Sequence, residues 1–324
     1  MLTLSTAVAA AGPEAPPGLP KAQHDLVRRT YSVILGKPVG FAYLASTVGV
    51  VAVDISDQAS PKYVGVLPLS SSVNSLAWVR GKLVVAIGPS GMVVVDVHDP
   101  SKPRKVSAVK LAGAAMGVAG DGHHVLVASG TAGLQVVDLQ DPARPRRVAH
   151  LDTPGYARAV RARGDRVFLA DGRAGARIFK LVGGRPVPVS RIPTKGHVFD
   201  LAVNAAGTEL VLAEGHAGIS RYDVSSPDTP RLAGRLPVRD TARGIALYKQ
   251  RLAVADGTRG LAVVDVTDKG LREVGRHTPE RSVNSVVLVG NLAFVANDYD
   301  GLLILKISPG GKPACAGSLP PRKK

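Results

Sequence analysis

Apolar residues along the chain fall into short runs rather than long amphipathic stretches. LVVAIG (83–88), VLVASG (125–130), VFLADG (167–172), LVLAEG (210–215) and LAVADG (252–257) are near-continuous runs of Val, Leu and Ala closed by glycine. Each is followed within a few residues by a second apolar run that ends on a charge, as in MVVVD (92–96) and LQVVD (134–138). Runs of this length, rich in β-branched residues and bounded by Gly, Asp-Pro and Pro, read as strands. No convincing helical period occurs after about residue 30.

The pattern is periodic. VVAVDISDQASPKYVG at 50–65, MVVVDVHDPSKPRKV at 92–106 and LQVVDLQDPARPRRV at 134–148 are copies of one motif, which returns at 176–189, 219–234, 261–275 and 302–317. The anchors Asp54, Asp96, Asp138, Lys180, Asp223, Asp265 and Lys306 are separated by 42, 42, 42, 43, 42 and 41 residues. Each copy holds four strand-like runs: a short first run such as VNSLAWV (73–79), the two apolar runs, and an outer run such as RKVSAV (104–109). Four strands in a repeat of this length predict a β-propeller blade, and seven copies predict one closed ring. A single blade cannot bury both of its faces, so the ring is one all-β domain over 31–319. Gly91, Gly133, Gly175, Gly218, Gly260 and Gly301 open the third runs, where a tight connection needs positive φ. The last outer run, PACAGSL, is weak. Residues around His24–Arg29 are an alternative source for that edge strand.

The VVDV/VVDL core followed by DPxxP and then V-G or V-A resembles the LVIVD repeat, most closely at 91–106, 133–148 and 260–275. The resemblance spans roughly 31–319. It implies a propeller of the kind found in bacterial and archaeal exported or cell-surface proteins, and it implies no enzymatic activity. Lys180 and Lys306 depart from the anchor Asp, and the fourth, sixth and seventh copies lack DPxxP.

Composition sharpens the picture in three places. Aromatic residues are only 4% of the 324, so the core rests on Val, Leu, Ile and Ala. One cysteine, Cys315, excludes an internal disulfide framework and a cysteine-based zinc site. No apolar stretch is long enough to span a membrane as a helix. Residues 1–30 read as a signal-peptide-like leader and linker, with Ala7-Val8-Ala9 as a small-x-small cleavage pattern, which predicts an extracellular, periplasmic or cell-surface protein; the competing assignment is cytoplasmic. Residues 320–324 form a basic tail.

Candidate chemistry lies in two columns that the repeat superimposes. Asp171, Glu214, Asp256 and Asp298 follow the second run of their copies. Asn74, Met116, Arg158, Phe199, Arg243 and Asn284 stand near the start of the first run. Both columns map to one face of a propeller, so Asp171, Glu214, Asp256 and Asp298 with Arg158, Arg243 and Asn284 are candidates for a small polar ligand or a cation at the channel mouth. The alternative is structural: a repeated Asp holds its neighbouring loop, and Arg158 and Arg243 pair with the acids. The eight histidines lack metal spacing, and there is no phosphate loop, Rossmann fingerprint or Gly-x-Ser-x-Gly elbow, so no cofactor or catalytic residue is assigned.

The net charge of +16 is the other lead. Lys102, Arg104 and Lys105, with Arg144, Arg146 and Arg147, cluster where outer runs begin. Cations there protect an exposed sheet edge, or they attract an anionic surface. Scarce aromatics argue against single-stranded nucleic acid, and duplex nucleic acid is the less favoured of the anionic partners. These readings together predict a monomeric, non-enzymatic scaffold for a protein or anionic partner. The alternative is a propeller enzyme, or a small-ligand or cation binder, with its site at the channel mouth.

Overall fold

The computed structural model describes residues 29–36, 39–298 and 301–319. They form 28 strands in seven four-stranded antiparallel sheets, each built from four consecutive strands. The sheets occupy 30–68, 75–109, 117–151, 159–192, 200–236, 242–277 and 283–318, one repeat each. This is the seven-bladed propeller that the period predicts. The outer strand of the last blade is Pro313–Ser318, paired with the third strand of its own blade. The stretch around His24, offered above as an alternative, lies outside the described residues apart from Arg29, which is not in a strand.

The inner strands are apolar on both faces because each blade is sandwiched between two others. In the second blade Leu83, Val85, Val93 and Val95 pack on the first blade, through Tyr43, Ala45, Val50 and Ala52. The alternate residues Val84, Met92 and Val94 pack on the third blade, through Val118, Val125, Val127 and Val137. Seven such clusters lie among the described residues, one at every blade-to-blade interface.

The V-G step of the motif acquires a physical reason. In every blade the outer strand carries a β-bulge at the equivalent position, where one outer residue, such as Val106 or Val148, finds no register partner. The bulge turns the following residue toward the next blade, and that residue is always small. Ser107 Oγ donates to Pro142 O at 2.7 Å and Ser190 Oγ donates to Pro227 O, each across a blade boundary. A Cβ on Gly65 would strike the backbone at Pro100 and Ser101.

Ring closure follows the same rule without exchanging a strand. Leu302, Ile304 and Leu319 of the last blade pack on Leu44, Val51 and Val53 of the first. Thr30 Oγ1 lies 2.9 Å from the carbonyl oxygens of both Asn297 and Gly301, and Asn284 Nδ2 donates to Thr30 O at 2.9 Å. Gly317 abuts the backbone of Gln58 and Ala59. All seven blades are complete within 30–318. Deleting residues 1–20 is therefore expected to leave the melting temperature almost unchanged in a calorimetric scan. A large drop would mean that the folded unit starts earlier.

Candidate functional site

Strand register defines the channel. Thr30 pairs with Ser46, Ala242 with Asp256 and Val283 with Asn297, and the bridges Gly88–Ala115, Gly130–Ala157 and Gly172–Val198 phase the third, fourth and fifth blades in the same way. One residue further on stand Tyr31, Asn74, Met116, Arg158, Phe199, Arg243 and Asn284, and they line a cavity of about 250 Å³ at the channel mouth. The sequence column thus forms a ring, including the candidates Arg158, Arg243 and Asn284. Tyr31 is its seventh member, placed there by the register shift between Thr30 and Ser32 that recurs at Arg243 and Asn284. The next layer is small, with Ser32, Ser75, Gly117, Ala159 and Ser285, and it carries one acid, Asp200.

Polar groups in this ring have distinct tasks. Asn74 Nδ2 donates to Ala115 O and Asn284 Nδ2 to Thr30 O, both at 2.9 Å, so each amide bridges to the next blade. Asp200 accepts from Arg161 Nη2 at 2.9 Å and from the backbone N–H groups of Leu201 and Ile245. Arg158 is held differently. Its guanidinium carbon lies 4.7 Å from the Phe199 ring centroid and 5.2 Å from that of Tyr156. Its Nε is buried and finds no acceptor.

The carboxylate column does not line this opening. Asp171, Glu214 and Asp256 are 0, 2 and 0% exposed. Asp171 accepts from Thr153 Oγ1 at 2.6 Å, Arg177 Nε at 2.8 Å and Gly155 N at 3.3 Å. Glu214 accepts from Ser220 Oγ and from Gly196 N at 3.4 Å. Asp256 accepts from the N–H groups of Arg239 and Asp240 at 3.0 and 2.9 Å and from Arg276 Nη1 at 2.8 Å. Each acid points sideways and pins the loop that enters its own blade, satisfying backbone donors that would otherwise be buried unpaired. Their cations are Arg177 and Arg276; Arg158 and Arg243 do not take that part. Arg276 also hydrogen-bonds Glu273 and so holds that carboxyl below its ordinary value. Asp298 is a further correction: register places Asn297 in the column beside Asp256, and Asp298 falls one residue beyond it, half-buried. Among the described residues no three His, Cys, Asp or Glu side chains converge to hold a metal ion.

The basic candidates lie on two adjoining blades. Lys102, Arg104 and Lys105 in the second blade and Arg144, Arg146 and Arg147 in the third are all exposed. The Ser107–Pro142 hydrogen bond joins the two clusters across the blade boundary. Arg104 lies 3.9 Å from Asp96, and Arg147 donates to Gln135 Oε1 at 3.3 Å. Arg144 and Arg146 line a shallow cleft of about 340 Å³ with Asp138 and Asp141.

The LVIVD repeat profile matches residues 39–67, 77–110, 112–153, 241–271 and 280–319, more than half of the chain. The chain belongs to the LVIVD-repeat family. No curated protein sequence matches it. Among solved structures it is similar to the β-propeller domain of Myceliophteria thermophila Cps50 (Swd1), at TM-score 0.71 and 14% identity over 87% of this chain and 98% of that one. The U3-55K structure matches at TM-score 0.71 and 12% identity over 83% and 88% of the two chains. The RRP9 WD40 repeats match at 0.70 and 13%, over 83% and 87%. At these identities the likeness is one of fold.

The structure accounts for the LVIVD signature. The anchor Asp closes the third strand by accepting from the backbone two residues on: Asp54 from Ser56, Asp96 from His98, Asp138 from Gln140 and Asp223 from Ser225. The Asp of DPxxP repeats the device, with Asp99 accepting from Ser101 and Asp141 from Ala143. In the fourth blade, outside the matched segments, the third and outer strands run on to a two-residue turn. Gly183 and Gly184 supply φ of 56° and 78° there. The anchor charge is exchanged in that blade, since Lys180 pairs with Asp165 at 3.2 Å.

Proposed function

We propose that this LVIVD-repeat propeller is a non-enzymatic binding scaffold, exported or surface-associated, that presents its basic rim to an acidic protein or another anionic surface. The observation that carries this reading is the exposure of Lys102, Arg104, Lys105, Arg144, Arg146 and Arg147 on the outer strands and preceding turns of two adjoining blades. With a net charge of +16, a protein carrying these cations attracts polyanions at long range. Closure of every blade against its neighbours fixes the backbone that carries these cations, so binding orders their side chains and not the fold. The propellers it resembles in fold, among them the RRP9 WD40 repeats, are compatible with a scaffold and assign no chemistry. Export is supported by the leader-like pattern around Ala7-Val8-Ala9.

Heparin chromatography tests the rim. The protein is expected to be retained at low salt and to elute as salt rises, because binding releases counterions. The combined change of Arg144→Glu, Arg146→Glu and Arg147→Glu is expected to elute markedly earlier. Retention indifferent both to salt and to the triple change would sink the proposal.

A further inference from the structure

From the channel mouth we infer a second site, separate from the basic rim, that binds a pair of carboxylates through Arg158 and Arg243. Both arginines line the same cavity of about 250 Å³. Arg158 is fixed in place by apolar means, between the rings of Tyr156 and Phe199. Phe199 is in turn stacked on His197, and Arg173 Nε donates to His197 Nε2 at 2.6 Å. A guanidinium held by ring faces keeps its terminal N–H groups for a ligand. Its buried Nε finds no acceptor, which is a cost of keeping an arginine at this place. The equivalent positions in the other blades hold Tyr, Asn, Met and Phe as well as Arg243.

The surrounding acids offset these two charges only in part. Asp200 is taken by Arg161 and two backbone N–H groups. Asp240 feels the charge of Arg243 and stays anionic under its hydrogen bonds from Thr258 and Thr241, so it offsets Arg243 in part. The column of Asp171, Glu214 and Asp256 is buried away from the channel. What remains is a mouth with two guanidinium groups, serines one layer below and an aromatic wall. Its volume lies below that of a drug-sized site, so the part of a ligand that enters it is small, on the order of ten heavy atoms. Two cations in so small a space match a dianion rather than a single carboxylate. The carboxylates come either from a free aliphatic diacid or from two acidic side chains of a docked peptide.

Calorimetric titration with succinate, succinamide, inorganic phosphate and acetyl-Glu-Glu-amide tests the site. Succinate or the peptide is expected to bind and succinamide not; which of the two binds identifies the source. Arg158→Gln and Arg243→Gln are each expected to weaken binding about tenfold or more, the loss of one charge-assisted hydrogen bond. Arg243 is exposed, so its variant keeps the test valid even if Arg158→Gln unfolds. The triple change in the basic rim should leave this binding unaltered, which separates the site from the scaffold reading. Failure of both carboxylate probes, binding of phosphate in their place, or binding indifferent to both arginines would overturn the inference.

Discussion

Asp256→Ala is expected to lower unfolding stability by about 3 kcal/mol, the scale of breaking a buried ion pair. Asp256 is fully buried and accepts from two backbone N–H groups and from Arg276. Truncation strands both donors of the 239–240 loop. Arg276 keeps Glu273 as a partner, which holds the loss at the lower end of the range for such pairs. Asp256→Asn retains an acceptor and should lose less. Chemical denaturation of the two variants measures the difference. Millimolar calcium is expected to leave the melting temperature of the unmodified protein in place. A calcium-dependent rise abolished by Asp256→Ala would instead make the carboxylate a cation ligand and overturn the loop-pinning assignment.

Gly317→Val is expected to be comparably severe, at about 3 kcal/mol, the upper part of the range for overpacking. Gly317 belongs to the last outer strand, and an added Cβ would strike the carbonyl of Gln58 and the backbone of Ala59 in the first blade. Backbone meets backbone there, so no side chain can swing aside. The clash falls on the boundary that closes the ring, where separation of the first and last blades exposes the Leu44, Val51 and Ile304 cluster. The melting temperature should fall by roughly 5–10 °C. Gly310→Ala is the control, because a Cβ there meets nothing within 4 Å. Equal stability of the Gly317 and Gly310 variants would show that closure does not depend on this contact.

These two residues divide what was legible in the chain from what was not. The period of the anchors from Asp54 to Lys306, the four runs per copy and the glycines at Gly91, Gly133 and Gly175 specify seven blades. Each is a local signal: β-branched runs make strands, and glycine makes the tight turn between them. The repeat also placed Asn74, Met116, Arg158, Phe199, Arg243 and Asn284 at one level, because equivalent positions in a closed ring share a height along its axis.

Period alone is silent on radial direction. Asp171, Glu214 and Asp256 occupy their expected places in the blade, yet their side chains turn between blades toward loop N–H groups rather than into the channel. That choice depends on where the unpaired donors of the preceding loop lie, which the path of that loop in space sets and the period does not. The one-residue difference between Asp298 and Asn297 has the same origin. The last copy has AND where its predecessor has ADG, and only the pairing of Val283 with Asn297 sets the register. The clamp of Tyr156 and Phe199 around Arg158 joins residues from two successive blades, so no single repeat contains it. Sequence determined the blades and their number, since strand and turn chemistry is local and periodic. Tertiary structure decided which polar groups are consumed in holding the ring together and which are left facing the channel, since that balance is struck between blades.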